Sequence, residues 1–387
     1  MSRIVAALGL LIVAVLLAAE STASADAAAA LKASDAFFKN SPVLHINIEL
    51  DPKEADALRR EPRKYAKATV KVGDQVFKDV GMHLKGAAGS FRGLDDKPGI
   101  TLNMDKYVDD HLLHGMDKLH LSNSVQDPSY LSELICGELF RAAGVPAARV
   151  SHALVTINGK RKGLYYLKEG YDSLFLKRHF GHSDGNFYDG GFLRDIDQPL
   201  QLLSGKGDVA NHADLKALLK AAQEGNHDQR FAKMEKALDL DKFLAYLALE
   251  AILWDWDGYP MNRNNYRIYH DSKRDKLIFI PSGMDQMFGN LDGPVFPNFQ
   301  GFIARALLET PEGKKRYVAK MQQIMTDVFK TEALLKRLDE LEARVQPELA
   351  SVDAGAGRDY KNQVNRLRHA VQERPKKLAE QMKNLKL

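Results

Sequence analysis

Residues 239–266 read DLDKFLAYLALEAILWDWDGYPMNRNNY. From Leu240 to Leu253 apolar residues occupy most sides of a helical wheel, which predicts a helix buried on nearly every face. The next thirteen residues hold both tryptophans of the chain, two carboxylates (Asp255, Asp257), three asparagines (Asn262, Asn264, Asn265) and Gly258. An abrupt polar loop at the end of a buried helix has two explanations. Asp and Asn cap and turn chains, or they stand there for chemistry.

Upstream the pattern is that of strands, with apolar and polar residues alternating. VLHINIEL begins at Val43, ATVKVGDQVFKDVGMHLKG brackets the turn Gly73-Asp74, and GITLNMDKY and KLHLSNS follow. PSYLSELICGELFRAA (128–143) has helical spacing with a proline at its first turn. RVSHALVTINGKRKGLYYLKEGYD then gives two strands around Asn158-Gly159, a strong hairpin signal. One helix among five or six mostly antiparallel strands is expected. From Ala210 onward the pattern is helical, interrupted only by the strand KLIFIP, and a charged helical tail carries breaks at Pro347 and the GAG near residue 355. The fold class is α+β, a β-rich half followed by a mainly helical half.

The 387 residues suffice for one large domain or two, and 45% apolar with 27% charged residues is ordinary globular composition. A net charge of +4 is too small to argue for a nucleic-acid partner. At the start, Arg3, an apolar run from Ile4 to Ala19 and Ala23-Ser24-Ala25 form a signal-peptide pattern, with cleavage expected after Ala25 and a linker over 26–42. An uncleaved anchor is the alternative, and no later segment is apolar and long enough to span a bilayer. Cys136 is the only cysteine, so no intrachain disulfide forms. Its helical surroundings read as those of a buried, inert thiol.

Three stretches carry candidate chemistry. VGMHLKGAAGSFR (80–92) is a strand entering a turn that holds Lys85, Gly86, Gly89 and Ser90. Glycines let backbone N–H groups approach an anion and cations add charge, as a phosphate cradle needs. A plain glycine-rich hairpin has the same look, and GxxxxGK[ST] is absent. Lys97 can reach back over the turn with Glu133 to hold it, although a single lysine is usually a solvated one. Asp257 and Asn262 stand five apart, the spacing of the kinase loop H-R-D-x-x-x-x-N, whose Asp handles the hydroxyl proton and whose Asn holds magnesium. KLIFIPSGMDQMFG breaks at Pro281 and Gly283 and then presents Asp285, much as D-F-G does, or else forms an Asx turn. Asp285 with one of Asn262, Asn264 and Asn265 supplies the one or two protein oxygens that Mg²⁺ takes beside phosphate.

The order of these parts matches the kinase layout, and the sequence resembles the spore-coat protein H (CotH) kinase family of atypical protein-kinase-like enzymes. The resemblance rests on HLKGAAGSFRGLDDKPGITLNMDKY, LHLSNSVQDPSYLSELICGELFRAAGVP, TINGKRKGLYYLKEGYD, DWDGYPMNRNNYRIYHD and FIPSGMDQMFG. It implies a two-lobe kinase-like fold over residues 43–330, with an N-lobe over about 43–172 and a C-lobe over about 173–330. Residues 331–387 would be a helical extension packing on the C-lobe. It implies ATP and Mg²⁺ (or Mn²⁺) as cofactors and Ser or Thr hydroxyls of a protein as acceptors. By the same resemblance Lys85, Gly86, Gly89, Ser90, Lys97 and Glu133 would serve the nucleotide, and Glu169 would meet the adenine at the hinge. Asp257 would be the catalytic Asp, and Asp285 with Asn265 or Asn262 the metal ligands. The chain departs from the wider kinase pattern in lacking H-R-D, D-F-G and G-x-G-x-x-G, and Ser282 stands where many family members have Trp. The expectation is thus an exported monomeric kinase of the periplasm or cell surface, with no nucleic-acid partner and no membrane span once the signal is cleaved. A catalytically inactive binding or scaffold protein of the cell envelope is the alternative.

Overall fold

The computed structural model describes residues 26–206 and 212–385. The expected signal peptide, 1–25, lies outside them. Seven strands form a closed barrel in the order β1-β2-β3-β4-β5-β7-β6. They are β1 (Val43–Glu49), β2 (Ala66–Val72), β3 (Gln75–Lys85), β4 (Gly99–Asn103), β5 (Lys118–Ser122), β6 (Val150–Ile157) and β7 (Lys160–Glu169). Neighbours pair antiparallel, as tight turns permit, and the turn between β6 and β7 has φ of +47° at Asn158 and +75° at Gly159. Only the closing pair, β1 with β6, is parallel. Alternation fills the barrel with Ile46, Val70, Met82, Ile100, Leu119 and Leu167.

Three helices rather than one accompany these strands. The expected linker is helical over 26–40 (α1), where Ala30 and Phe37 are buried and Ser34 and Asp35 bond Arg149 and Arg178. An Ala-rich stretch has high helix propensity and needs only this one docked face. The others are α2 (Pro52–Arg60) and α3 (Ser132–Ala142), the latter with Cys136 buried and its thiol pKa pushed up by burial.

Beyond the barrel come α4 (Ser173–Phe180) and a second sheet, where a single strand was expected. Its four strands are β8 (Phe187–Asp189), β9 (Gln201–Ser204), β10 (Tyr266–Asp271) and β11 (Lys276–Pro281), in the order β11-β10-β8-β9. The helices α5 (Ala213–Ala222), α6 (His227–Ala237), α7 (Leu240–Leu253), α8 (Tyr259–Asn262), α9 (Phe302–Leu308) and α10 (Pro311–Asp327) surround it. α7 is the buried helix anticipated from its composition, and it touches α3, α10 and β11. The tail forms α11 (Thr331–Val352) and α12 (Ala354–Lys383), packed against each other. Pro347, expected to break the tail, sits inside α11. The break falls instead at Asp353, whose carboxylate accepts from the N–H groups of Gly355 and Ala356 (2.8 and 3.0 Å) and starts α12. α12 contacts α7, and α11 lies on β7 and β1 of the barrel. Among the described residues no helix is long and apolar enough to cross a membrane.

Candidate active site

Between the barrel and the second sheet lies a cleft of about 670 Å³. Its walls come from the ends of β3, β5 and β7, the start of α3, the loop after α7 and the segment after β11. Lys85, the last residue of β3, enters the turn through Gly86, whose φ of +110° is open to glycine. Gly86, Ala87, Ala88 and Ser90 line the cleft, while Gly89 sits behind them against Gln126. The Ser90 hydroxyl accepts from the Ala87 N–H (3.1 Å). Asn123 donates to the carbonyls of both Ser90 and Lys97 (2.9 Å each), closing the turn at its two ends.

The nucleotide lysine expected at position 97 does not reach the cleft. Lys97 Nζ donates to the Tyr130 hydroxyl (2.8 Å) and lies over the rings of Tyr130 and Tyr165. Burial lowers its pKa to about 8. Glu133, its expected partner, is instead paired with Lys168 of β7, and the two side chains are only 3% and 5% exposed. Burial raises the Glu133 pKa, but Lys168 and then Lys85 pull it below the ordinary carboxylate value. Burial likewise opposes the Lys168 charge, and Glu133 more than restores it. Lys85 donates to Ser122 Oγ (3.0 Å) and has no carboxylate ion pair among the described residues. Burial, and then Lys168, bring its pKa down to about 8.

Glu169, expected at the adenine, faces away. Its carboxylate accepts from Arg149 (2.9 Å) and Arg178 (2.6 Å) and so ties β7 to β6 and α4. Burial alone would raise its pKa, yet the two guanidinium groups hold it low. Successive residues of a strand point to opposite faces, so Lys168 is the residue of this pair that lines the cleft.

α7 delivers the other wall. It ends at Trp254 in the left-handed conformation (φ +51°). Arg374 of α12, fully buried, donates to the carbonyls of Ala251 (2.7 Å) and Ile252 (3.0 Å) and lies over the Trp254 ring. Trp256, by contrast, is 44% exposed and does not pack the base of the loop. Asp257 lies in the cleft and receives three side-chain amides: Asn262 (2.7 Å), Asn264 (3.1 Å) and Asn265 (2.9 Å). Asn262 does not line the cleft, whereas Asn264 and Asn265 do. Gly283, with φ +63°, sits so close to Asn265 that a Cβ there would be 2.6 Å from its Oδ1. The Asn265 amide thus gives its N–H to Asp257 and turns its oxygen toward the turn that carries Asp285.

Asp285 receives no side-chain donor among the described residues. Burial first, then Glu133 and Asp127, push its pKa up to about 7. A half-buried carboxylate beside other acids and without a side-chain donor favours a bound cation. Among the described residues no group of three or more His, Cys, Asp or Glu is spaced to hold a metal ion. One carboxylate with one amide oxygen is nevertheless the protein share that Mg²⁺ needs when phosphates complete its shell, so the residues fit such an ion.

Several lining residues had no signal in the sequence reading, among them Ser122, Tyr171 and Arg267. Arg267 lies over the Tyr171 ring (4.0 Å) and pairs with Asp189 (3.3 Å). Lys168 had one: a lysine closing the apolar run GLYYLK. Asp127 acts behind the wall. It accepts from Ser129 and from the Ser132 N–H (3.0 Å each) and thereby starts α3.

The sequence is 23% identical over 252 residues to the inner spore coat protein H of Bacillus subtilis, covering 60% of this chain and 69% of that protein. It is 24% identical over 261 residues to invasin CotH2 of Rhizopus delemar, covering 59% of this chain but only 44% of the invasin. Among solved structures, the crystal structure of the Helicobacter pylori proinflammatory kinase CtkA aligns over 78% of this chain and 95% of its own, at 11% identity and a TM-score of 0.30. The profile described as CotH kinase protein matches residues 85–378. That span takes in the glycine turn, both acid-bearing loops and most of α12, and the chain belongs to the CotH kinase family.

Proposed function

We propose that this protein transfers the γ-phosphoryl group of ATP to Ser or Thr hydroxyls of a protein partner, with Mg²⁺ or Mn²⁺. The observation that carries this reading is the convergence in one cleft of Asp257, Asp285, the Glu133–Lys168 pair and Lys85 beneath a glycine turn. Lys85 is a half-buried cation with no carboxylate ion pair among the described residues, and an anionic ligand stabilises it more than water-filled space does. Lys168, held by Glu133, presents a second positive charge to the same phosphates, and the N–H groups of the turn from Gly86 to Ser90 add dipoles. A divalent ion on Asp285 and Asn265 would neutralise charge on the transferring group.

Asp257 orients the acceptor hydroxyl and takes its proton as the new O–P bond forms and the bond to the β-phosphate oxygen breaks. The amides of Asn262, Asn264 and Asn265 fix the direction of its carboxylate, so the barrier falls through positioning. Residues 1–25 support an exported location, where the protein would act as a monomer on periplasmic or surface partners. The test is labelled ATP with Mg²⁺ or Mn²⁺ and a Ser/Thr-rich acceptor, comparing wild type with Asp257→Ala and Asp285→Ala. Label from the wild type alone supports the reading. Equal label in all three overturns it. Nucleotide binding without transfer in the wild type is the result of a non-catalytic module.

A further inference from the structure

We propose that the C-terminal helix pair braces the catalytic centre, with Arg337 as a positioning residue that acts through α3 on the Glu133–Lys168 pair. This inference rests on the reading of the cleft given above. Arg337 of α11 grips Glu138 of α3 with Nη2 on Oε1 (2.7 Å) and Nε on both oxygens (3.3 and 3.2 Å), across 199 residues of sequence. Glu138 lies on the same helix as Glu133 but five positions on, and so on another face. Glu133 faces the cleft while Glu138 faces α11. The same helix α11 also lies on β7, the strand that carries Lys168. One element therefore touches both carriers of the buried ion pair.

The other half of the hairpin holds the other wall. Among the described residues Arg374 of α12 has no carboxylate partner, and its donors go to backbone carbonyls. Two of these, Ala251 and Ile252, close α7 just before the Asp257 loop; the others, Leu291 (2.9 Å) and Gly293 (2.6 Å), follow Asp285. Gln381 repeats the contact, donating to the Asp292 and Gly293 carbonyls and accepting from the Val295 N–H (3.0 Å). α12 in turn grips α11 through Arg368 on Asp339 and Glu342. The hairpin thus spans from the helix bearing Glu133 to the two loops bearing Asp257 and Asp285. A shift of α3 away from β7 must break the Arg337 contact, because Glu138 moves with Glu133.

Arg337 is 32% exposed and does not line the cleft, so its replacement leaves the core intact. Arg337→Glu sets two carboxylates against each other. The expected result is a loss of about tenfold in kcat/KM for ATP, within the usual range of coupling between distant sites, and faster amide hydrogen exchange confined to α3. The charge swap Arg337→Glu with Glu138→Arg should restore both to within about twofold, which a bulk loss of stability would not allow. Unchanged exchange and unchanged kcat/KM in Arg337→Glu overturn the proposal. So does faster exchange throughout the fold, or a swap that restores nothing. A wild type that transfers no phosphoryl group overturns the functional reading instead, and the brace is then decided by α3 exchange alone.

Discussion

Removing one member of the Glu133–Lys168 pair is the sharpest test of the rearranged lysine assignment. Both side chains are almost wholly buried, at 3% and 5% exposure. Taking away Lys168 as Lys168→Met leaves a carboxylate in the wall of the cleft with only Lys85 to oppose it. Breaking a buried pair this way costs about 3–5 kcal/mol, and the nearby Lys85 places the loss at the lower end, about 3 kcal/mol. Glu133→Leu leaves Lys168 beside Lys85 and Arg267, two further cations, and a similar loss of about 3 kcal/mol is expected. The double variant Lys168→Met/Glu133→Leu has neither charge, and apolar replacement of a buried pair is close to neutral. Its expected loss is about 1 kcal/mol or less, so the coupling energy is several kcal/mol. The assay is urea unfolding followed by tryptophan fluorescence, since Trp254 sits beside the buried Arg374 at the end of α7. With a slope of about 3 kcal/mol/M, each single variant should lose about 1 M in midpoint, and the double variant should recover most of it. Single losses below about 1 kcal/mol, or a double variant that loses the sum, would refute the reasoning.

Two further results follow from the same geometry. Lys97→Met should leave nucleotide affinity within about twofold while removing one hydrogen bond and two cation–π contacts, worth about 1–2 kcal/mol of stability in total; a loss of nucleotide binding as large as that of Lys168→Met would return the nucleotide role to Lys97. The buried acids Glu250 and Asp255 lie beside the Asp257 loop, where burial and neighbouring carboxylates push both pKa values up. The folded protein therefore keeps a proton that the unfolded chain releases near pH 4. Stability should be full below that pH and fall as pH rises, by about 1.4 kcal/mol per unit for each proton retained. Asp255→Asn should flatten the dependence of Tm on pH between about 5 and 8, and an unchanged slope would show that the pair holds no extra proton.

The sequence carried the α+β order, the buried α7 and both acid-bearing loops, because long periodicity and abrupt polar breaks survive without knowledge of contacts. It misled where one position decides a face. Lys168 and Glu169 are neighbours in β7, and a strand sends them to opposite sides, so choosing the acid put the wrong residue in the cleft. Lys97 had the position of a nucleotide lysine in sequence order, but two tyrosine rings hold it outside the cleft while Lys85 points in. The second sheet was hidden because β8 and β9 are only three and four residues long and YRIYHD reads as the end of a polar loop. Arg374 gives no local signal at all. Its partners are carbonyls more than eighty residues away.

The central claim is that Asp257 engages the acceptor hydroxyl while other residues hold the nucleotide, and single-turnover transfer by Asp257→Asn tests it most directly. The asparagine keeps the shape and loses the charge and the basic oxygen. The account predicts ATP–Mg²⁺ affinity within about twofold of wild type and a transfer rate lower by about 10²–10⁴. A variant that transfers phosphate at the wild-type rate, or one that fails to bind ATP–Mg²⁺, would contradict it.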